Sequence, residues 1–330
     1  MTIIWILIFA VTLTLMIKGA DWFLDSAEKI GLSLGLSPFI IGVTIVGLGT
    51  SFPELFAAIM AVLEGANEIV IANAVGSNVS NILLIIGFSA VMGGGLAVTK
   101  NLIDLDLPML VSATILLLGT VYDKIITPGE SILLVATYLI FFLYTVFHKD
   151  TGKAKEKESV SKKDITSSIK MKGKKKGSTK VSTCPMDYFL LLLGIICLVV
   201  GAKYMIQSVI TLSEIFSISP AIISITAVAI GTSLPELIVS LKAARSGKSE
   251  VAVGNIFGSN AFNSLMVIGI PGMFGSLSTD DKTFSIGIPA MIVATIIFTI
   301  SGISRKIHVW EGAMYLAIYI LFIGKIIGFL

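Results

Sequence analysis

The sequence predicts an all-α polytopic membrane protein with ten transmembrane helices arranged as two inverted five-helix repeats. Three observations support this fold class: the chain is strongly apolar, ten of its segments are long enough to cross a bilayer, and its two halves repeat each other at a constant spacing. Of its 330 residues, 55% are hydrophobic and only 14% are charged, which is too apolar for a soluble domain of this length.

The predicted helices follow from segment length, because a spanning helix needs about 20 mostly apolar residues. The segments are residues 2–20 (extendable to 32), 38–62, 69–93, 106–122, 129–147, 186–206, 220–242, 251–274, 284–302 and 309–329. The first segment has no basic region before it and no small-residue cleavage signal after it. We therefore expect it to be a retained membrane helix instead of a signal peptide.

A lysine-rich segment separates the first five predicted helices from the last five. It contains 12 of the 24 basic residues, all of them lysines between residues 149 and 180. Its low hydrophobicity predicts a solvated, loosely ordered linker. We therefore expect a first five-helix repeat at 1–148, a linker at 149–184 and a second repeat at 185–330. Because the net charge of +3 reflects this linker, it does not indicate nucleic-acid binding.

The orientation in the membrane follows from the distribution of basic residues. By the positive-inside rule, the linker should be cytoplasmic, and five crossings on either side of it would place both termini outside. The short loops agree with this orientation. Their predicted inner-side residues are Lys29, Lys100, Lys242, Arg245, Lys248, Arg305 and Lys306. The sequence thus predicts a multi-pass protein of the cell membrane.

Two pairs of polar motifs recur at an offset of 182 residues. Gly-Thr-Ser-Phe-Pro-Glu at 49–54 matches Gly-Thr-Ser-Leu-Pro-Glu at 231–236, and Gly-Ser-Asn-Val-Ser-Asn at 76–81 matches Gly-Ser-Asn-Ala-Phe-Asn at 258–263. An odd number of helices per repeat inverts the second copy relative to the first. Inverted repeats of transporters often place a substrate site at the midplane, where broken helices meet, and we expect this here.

Each copy places one acid inside an apolar segment, Glu54 in the first and Glu236 in the second. Intramembrane acids usually mark an ion path, because an unpaired charge in hydrocarbon is costly. The basic candidates for pairing, Lys18 and Lys203, are expected near helix ends, where they can reach the interface. On a helix, Thr50 and Ser51 share a face with Glu54.

The two motifs together offer carboxylate, amide, hydroxyl and backbone oxygens, without His or Cys. Pro53 cannot donate a backbone hydrogen bond, which leaves the Gly49 carbonyl unpaired and tends to kink the helix. Oxygen-only ligation suits hard cations such as Ca²⁺ and disfavours zinc or copper. Two carboxylates neutralise one divalent ion or two monovalent ions, so Ca²⁺ and Na⁺ could compete for the same oxygens. Individual hydroxyls could instead bond to the backbone or to a neighbouring helix.

The doubled motif in ten predicted helices resembles the two α-repeats of the Ca²⁺/cation antiporter superfamily, and most closely its prokaryotic Na⁺/Ca²⁺ exchanger branch. The resemblance implies that the second, third, seventh and eighth helices form the ion-binding core. It also implies that the first and sixth helices slide against this core in alternating access. The metal ligands that it implies are Glu54, Glu236, Asn81, Asn263, Thr50, Ser51, Thr232, Ser233, Ser77, Ser259 and, through backbone carbonyls, Gly47 and Ala229.

One position departs from part of the family. Several exchangers, notably the potassium-dependent ones, carry Asp where this chain has Asn263. The amide predicts transport without K⁺ and removes one charge, which leaves the Na⁺ stoichiometry open. Proton-coupled exchangers usually carry Asn where this chain has the paired hydroxyls of residues 50–51 and 232–233. These hydroxyls favour Na⁺ and leave a Ca²⁺/H⁺ antiporter as an alternative.

We therefore expect a Na⁺/Ca²⁺ antiporter that works by alternating access as a monomer in the lipid bilayer, without a cofactor. A cation channel is the alternative from a different class, although channel filters are normally built around a symmetric oligomer. An enzyme is not expected, because the only histidines are His148 and His308 and no nucleophile–base pair is recognisable.

A first prediction concerns the two acids. Glu54→Gln and Glu236→Gln each remove a charge while keeping the side-chain shape, so either variant is expected to abolish exchange in a protein that still folds. Ion flux in proteoliposomes measures exchange, and the elution profile in size-exclusion chromatography checks folding. Wild-type transport in either variant would contradict the assignment.

Overall fold

The computed structural model describes residues 2–63, 65, 67–97, 107–147, 183–215 and 233–329. This part of the chain is mainly helical. Seven of its helices are long and apolar enough to cross a membrane, and two further apolar helices are shorter. Most of the predicted linker, residues 149–182, lies outside the described residues, as do residues 216–232.

Within the described ranges, each predicted span contains one helix. The helices are α1 (Thr2–Ser33), α2 (Pro38–Leu63), α3 (Asn67–Gly93), α4 (Leu107–Thr120), α5 (Pro128–Phe147), α6 (Pro185–Ile215), α7 (Leu234–Arg245), α8 (Ser249–Gly272), α9 (Thr283–Ile303) and α10 (Val309–Ile327). The seventh predicted span, residues 220–242, is described only from residue 233 onward.

Helices α1 and α6 extend well beyond the apolar runs that predicted them. The run in α1 ends near residue 20, yet the helix continues to Ser33 because one face stays buried, with Phe23, Leu24 and Ala27 inside the protein. Acidic residues occupy other faces of the same turns. The apolar run therefore marks only part of this helix.

The expected break at the first motif takes a different form. α2 is helical throughout and contains Pro53, but the five residues Gly42–Val46 before the motif are π-helical. α3 and α8 likewise contain π-helical segments, Ser80–Ile86 and Asn263–Val267. A π-helical turn changes the register of the helix without exposing a full set of backbone groups, which suits a membrane interior.

Helices α1 and α6 pack against each other along much of their length. Small residues allow this close approach. A Cβ added to Gly194 would lie 2.7 Å from the Gly19 carbonyl oxygen, and one added to Gly201 would lie 2.4 Å from Cγ of Met16. Such small-residue contacts are typical of membrane helix pairs.

Helix α8 lies at the centre of the molecule and is buried along nearly its whole length. It crosses α2 where both helices carry glycine. A Cβ on Gly258 would lie 2.1 Å from the Val43 carbonyl oxygen, and one on Gly42 would lie 2.6 Å from the Val251 carbonyl oxygen. This backbone contact brings the two polar motifs together.

Two short antiparallel ribbons connect the halves of the chain. Strand β1 (Leu96–Ala97) pairs with β4 (Lys306–Ile307), and β2 (Ile125–Ile126) pairs with β3 (Leu277–Ser278). An offset of 182 residues carries position 96 to 278 and position 125 to 307. Each half therefore contributes equivalent strands to the two ribbons.

Ion pairs join α1 to the end of α7 and the start of α8. Asp21 pairs with Lys242, and Glu28 lies 2.6 Å from Lys248, with Asp25 at 3.6 Å from the same ammonium. Burial lowers the pKa of Lys248, but the hydrogen bond and charge of Glu28 and the charge of Asp25 outweigh it, so that this pKa is raised. Lys248 is therefore protonated at neutral pH.

A second prediction tests the crossing of α2 and α8. Gly258→Ala forces a methyl group against the Val43 carbonyl, so it is expected to destabilise the protein by about 1–3 kcal/mol and to lower its Tm in detergent. The control is Gly119→Ala on the exposed face of α4, which should leave the Tm unchanged or slightly higher because Ala is the better helix former. Equal Tm values for the two variants would show that the backbones are not in close contact.

Candidate cation site

Two buried carboxylates define the site. Glu54 on α2 is 1% exposed, and Glu236 in the first turn of α7 is 0% exposed. They lie close enough for their negative charges to interact. Among the described residues, neither acid has a basic partner.

Lys18 and Lys203, the lysines considered as possible partners, form no ion pair with either buried acid. Lys18 and Lys203 were expected near helix ends, but α1 takes the longer of its two predicted bounds and α6 continues to Ile215, so both lysines lie well inside their helices. Both side chains are exposed. They therefore do not neutralise the buried acids.

A direct hydrogen bond connects the two motif copies. Ser51 Oγ, from the first copy, donates to Glu236 Oε1, from the second copy, at 3.1 Å. Ser233 occupies the equivalent position in the second copy, is buried, and has no hydrogen-bond partner among the described residues. The two copies therefore meet at the carboxylates but are not related by exact symmetry.

Thr50 contacts both its own helix and α8. Its Oγ1 lies 3.2 Å from the Val46 carbonyl oxygen and 3.2 Å from Asn255 Oδ1. The Asn255 amide donates in turn to Ser240 Oγ at 2.7 Å. This chain of contacts connects the first motif to α7 through α8.

Gly47 and Ser259 lie next to each other at the crossing of α2 and α8. The Ser259 hydroxyl donates to the Gly47 carbonyl oxygen at 3.3 Å. A Cβ on Gly47 would lie 3.2 Å from the Gly258 Cα, so the absence of a side chain permits this approach. Two of the predicted oxygen ligands are therefore in mutual contact.

The second motif of each copy contributes buried side chains. Asn81 donates through Nδ2 to Asn260 Oδ1 at 3.1 Å, whereas its Oδ1 has no partner among the described residues. In the same ranges, neither polar atom of Asn263 has a partner, and the Ser77 hydroxyl also lacks one. All three residues are buried.

The structure thus brings ten of the twelve predicted ligands into the packed region formed by α2, α3, α7 and α8. Ala229 and Thr232 lie outside the described residues. Among the predicted ligands, six buried oxygen atoms have no hydrogen-bond partner in the described part of the chain: Glu54 Oε2, Glu236 Oε2, Ser77 Oγ, Ser233 Oγ, Asn81 Oδ1 and Asn263 Oδ1. Buried polar atoms are normally paired, so a concentration of free oxygens next to two acids is the arrangement that a hard cation requires.

Four polar residues of this region were not among the predicted ligands: Asn78, Ser240, Asn255 and Asn260. All four are buried and make hydrogen bonds that connect the helices of the site. Asn78 and Asn260 recur at the offset of 182 residues within the Gly-Ser-Asn motif, which was the available signal. The repeat gave no such signal for Ser240, because the residue 182 positions earlier is Ala58.

Comparison with known proteins agrees with this geometry. Residues 4–147 and 186–327 match the family described as Sodium/calcium exchanger protein. Sodium/calcium exchanger MaX1 from Methanosarcina acetivorans is 33% identical over 96% of this chain and 97% of its own length. Putative antiporter CaxA from Alkalimonas amylolytica is 30% identical over 94% of both chains.

A solved structure shares the whole fold. The sodium-calcium exchanger NCX_Mj, soaked with zero Na⁺ and Ca²⁺, matches with a TM-score of 0.78 at 27% identity, over 98% of this chain and 99% of its own. Since both halves of the sequence match the family and the full-length relatives are similar throughout, the chain belongs to the sodium/calcium exchanger family.

Proposed function

We propose that this protein is a Na⁺/Ca²⁺ antiporter that exchanges the two ions by alternating access at one site near the bilayer midplane. The observation that carries the proposal is the pair of buried acids, Glu54 and Glu236, which lack a basic partner in the described residues and lie among unpaired oxygen atoms. The names of the relatives, sodium/calcium exchanger and putative antiporter, support the same activity. No covalent chemistry is required.

The proposed architecture is ten transmembrane helices in two inverted five-helix repeats, 1–148 and 185–330, joined by the linker 149–184. Support comes from the constant offset of 182 residues and from the two ribbons, in which equivalent strands of the two halves are paired crosswise. An inverted relation would place the ribbons on opposite faces of the membrane, each next to one end of the central helices.

The proposed orientation places the linker in the cytoplasm and both termini outside. Lys29 near the end of α1 pairs with Asp187 at the start of α6, so both flank the side on which the linker is attached. Lys242 and Lys248 join α1 near the same end. This clustering of basic residues supports the positive-inside orientation.

In the proposed mechanism, the two carboxylates bind Ca²⁺ and also contribute to the Na⁺ sites. The other proposed ligands are the hydroxyls of Thr50, Ser51, Ser77, Thr232, Ser233 and Ser259, the amides of Asn81 and Asn263, and the carbonyls of Gly47 and Ala229. Because both ions need the same acids, Na⁺ binding expels Ca²⁺, and this competition couples the two fluxes. Movement of α1 and α6 over the other helices would expose the site to each side in turn.

A third prediction tests the coupled ions. Proteoliposomes loaded with Na⁺ and diluted into Na⁺-free medium without K⁺ are expected to take up radioactive calcium while the pH is held equal on both sides. Uptake should stop when the Na⁺ gradient is collapsed with a sodium ionophore. Protein-free liposomes provide the background.

Two results would overturn the proposal. Uptake that requires a proton gradient and ignores Na⁺ would identify a Ca²⁺/H⁺ antiporter. Calcium flux that stays fast without any counter-ion would identify a channel.

A fourth prediction concerns the hydrogen bond between the motif copies. Ser51→Ala removes the donor to Glu236 Oε1 and one proposed ligand, so the apparent affinity for Ca²⁺ is expected to fall about tenfold or more. Ser112→Ala is the control, since this exposed hydroxyl on α4 bonds only to the Pro108 carbonyl of its own helix. Equal Ca²⁺ affinities of the two variants, measured by calorimetry, would exclude Ser51 from the site.

A further inference from the structure

Asn260 contacts one of the proposed ligands and is not itself among them. It is the third residue of the second Gly-Ser-Asn motif, lies on α8, and is 1% exposed. Its side-chain oxygen accepts a hydrogen bond from Asn81 Nδ2 at 3.1 Å. Asn81 lies at the start of the π-helical segment Ser80–Ile86 of α3, so this bond connects the two halves of the chain.

The bond decides which end of the Asn81 amide is available. An amide can bind a cation only through its oxygen, because the nitrogen carries two hydrogens and no free lone pair. With Nδ2 held by Asn260, the Oδ1 of Asn81 remains buried and without a hydrogen-bond partner in the described part of the chain. The oxygen is therefore free for a cation, and rotation of the Asn81 amide alone by half a turn would break the bond. Asn260 Nδ2 also has no partner among the described residues, so the arrangement holds while Asn260 presents its oxygen to Asn81.

Asn260 is itself held in place from the first half of the chain. The backbone carbonyl of Asn260 accepts a hydrogen bond from Asn78 Nδ2 at 3.4 Å. The side-chain amide of Asn78 also donates to Ser264 Oγ at 2.8 Å. Asn78 lies one turn before Asn81 on α3. Two residues of α3 therefore bond to Asn260. Asn78 holds its backbone carbonyl, and Asn81 donates to its side-chain oxygen.

The equivalent contact in the other half of the site is missing. The offset of 182 residues relates Asn260 to Asn78 and Asn81 to Asn263. The amide of Asn78 is directed to Asn260 and Ser264, and both polar atoms of Asn263 are without partners among the described residues. Among the described residues, a neighbour sets the orientation of Asn81 but not that of Asn263.

We propose that Asn260 is a positioning residue that orients the Asn81 amide so that its oxygen faces the bound cation. This proposal rests on the proposed function only in taking the Asn81 oxygen as a ligand. Asn260 does not contact the ion. Its effect on ion affinity should therefore pass entirely through Asn81.

A fifth prediction tests this dependence with a double-mutant cycle. Ca²⁺ binding to the purified protein is measured by calorimetry in Na⁺-free detergent solution for Asn260→Leu, Asn81→Ala and the double variant. Leucine matches the shape of asparagine but accepts no hydrogen bond, so Asn260→Leu is expected to weaken binding about tenfold. In the Asn81→Ala background, the same substitution should have no further effect, because non-additivity marks residues that act together.

A further variant of Asn260 and a control cycle separate orientation from general damage. Asn260→Gln keeps a neutral amide oxygen as acceptor for Asn81 Nδ2 and is expected to bind Ca²⁺ more tightly than Asn260→Leu, but to give no gain in the Asn81→Ala background. The control cycle uses Asn78→Leu with Asn263→Ala. These two residues make no mutual contact, so their losses should multiply. Asn260→Ala replaces the leucine variant if the latter elutes as aggregate.

Wild-type affinity in Asn260→Leu would overturn the proposal. A tenfold loss that persists in the Asn81→Ala background would also overturn it, since Asn260 would then act by another route. The proposed function fails separately: a wild-type protein that binds Ca²⁺ but shows no Na⁺-driven uptake would refute exchange, while the calorimetric cycle would still decide the role of Asn260.

Discussion

The structure depends on two carboxylates placed in an apolar interior without a basic partner in the described chain. Glu54 and Glu236 are fully buried, and an uncompensated charge at such depth costs several kcal/mol or more. The described residues around them supply only neutral oxygen and nitrogen groups, which supports the proposal that a mobile cation compensates the charge. The glycine contacts between α2 and α8 allow the two backbones to approach closely, which brings the polar motifs of these two helices together.

Much of the fold could be predicted from the sequence, because hydrophobic length and repetition are local properties. Each of the ten described helices overlaps one predicted span, including α7, of which only Leu234–Arg245 is described. The end of α6 at Ile215 was not predicted, since a helix continues beyond its apolar run when one face remains buried against other elements. The end of α1 at Ser33 lies one residue past the extension to residue 32 that the sequence allowed. The π-helical segments were also missed, because Pro53 indicated a discontinuity at the motif, whereas the π-helical segment Gly42–Val46 ends about two turns before that proline.

The residues of the candidate site that occur at matching positions in both halves of the chain could be predicted from the sequence. The paired acids, hydroxyls and terminal asparagines of the motifs were identified from matching positions, and the structure places the described ones together. The contacts that break the symmetry were not predictable. Ser240 supports Asn255 where the first half has Ala58, and Asn260 holds Asn81 while Asn263 has no such neighbour in the described chain. Whether a neighbouring residue orients a side chain depends on how the helices cross in three dimensions. The residues near one position in the sequence do not reveal that crossing.

The two ribbons have a consequence for biosynthesis. Among the described strands, β1 (residues 96–97) pairs with residues 306–307, and β2 (residues 125–126) pairs with residues 277–278. The amino-terminal half leaves the ribosome long before either partner has been translated. The edge of β2 therefore stays unpaired until residues 277–278 emerge before α9, and the edge of β1 stays unpaired until residues 306–307 emerge between α9 and α10. The acid of α2 meets α7 and α8 earlier, so the pairing of β1 with β4 is the later step that joins the two halves.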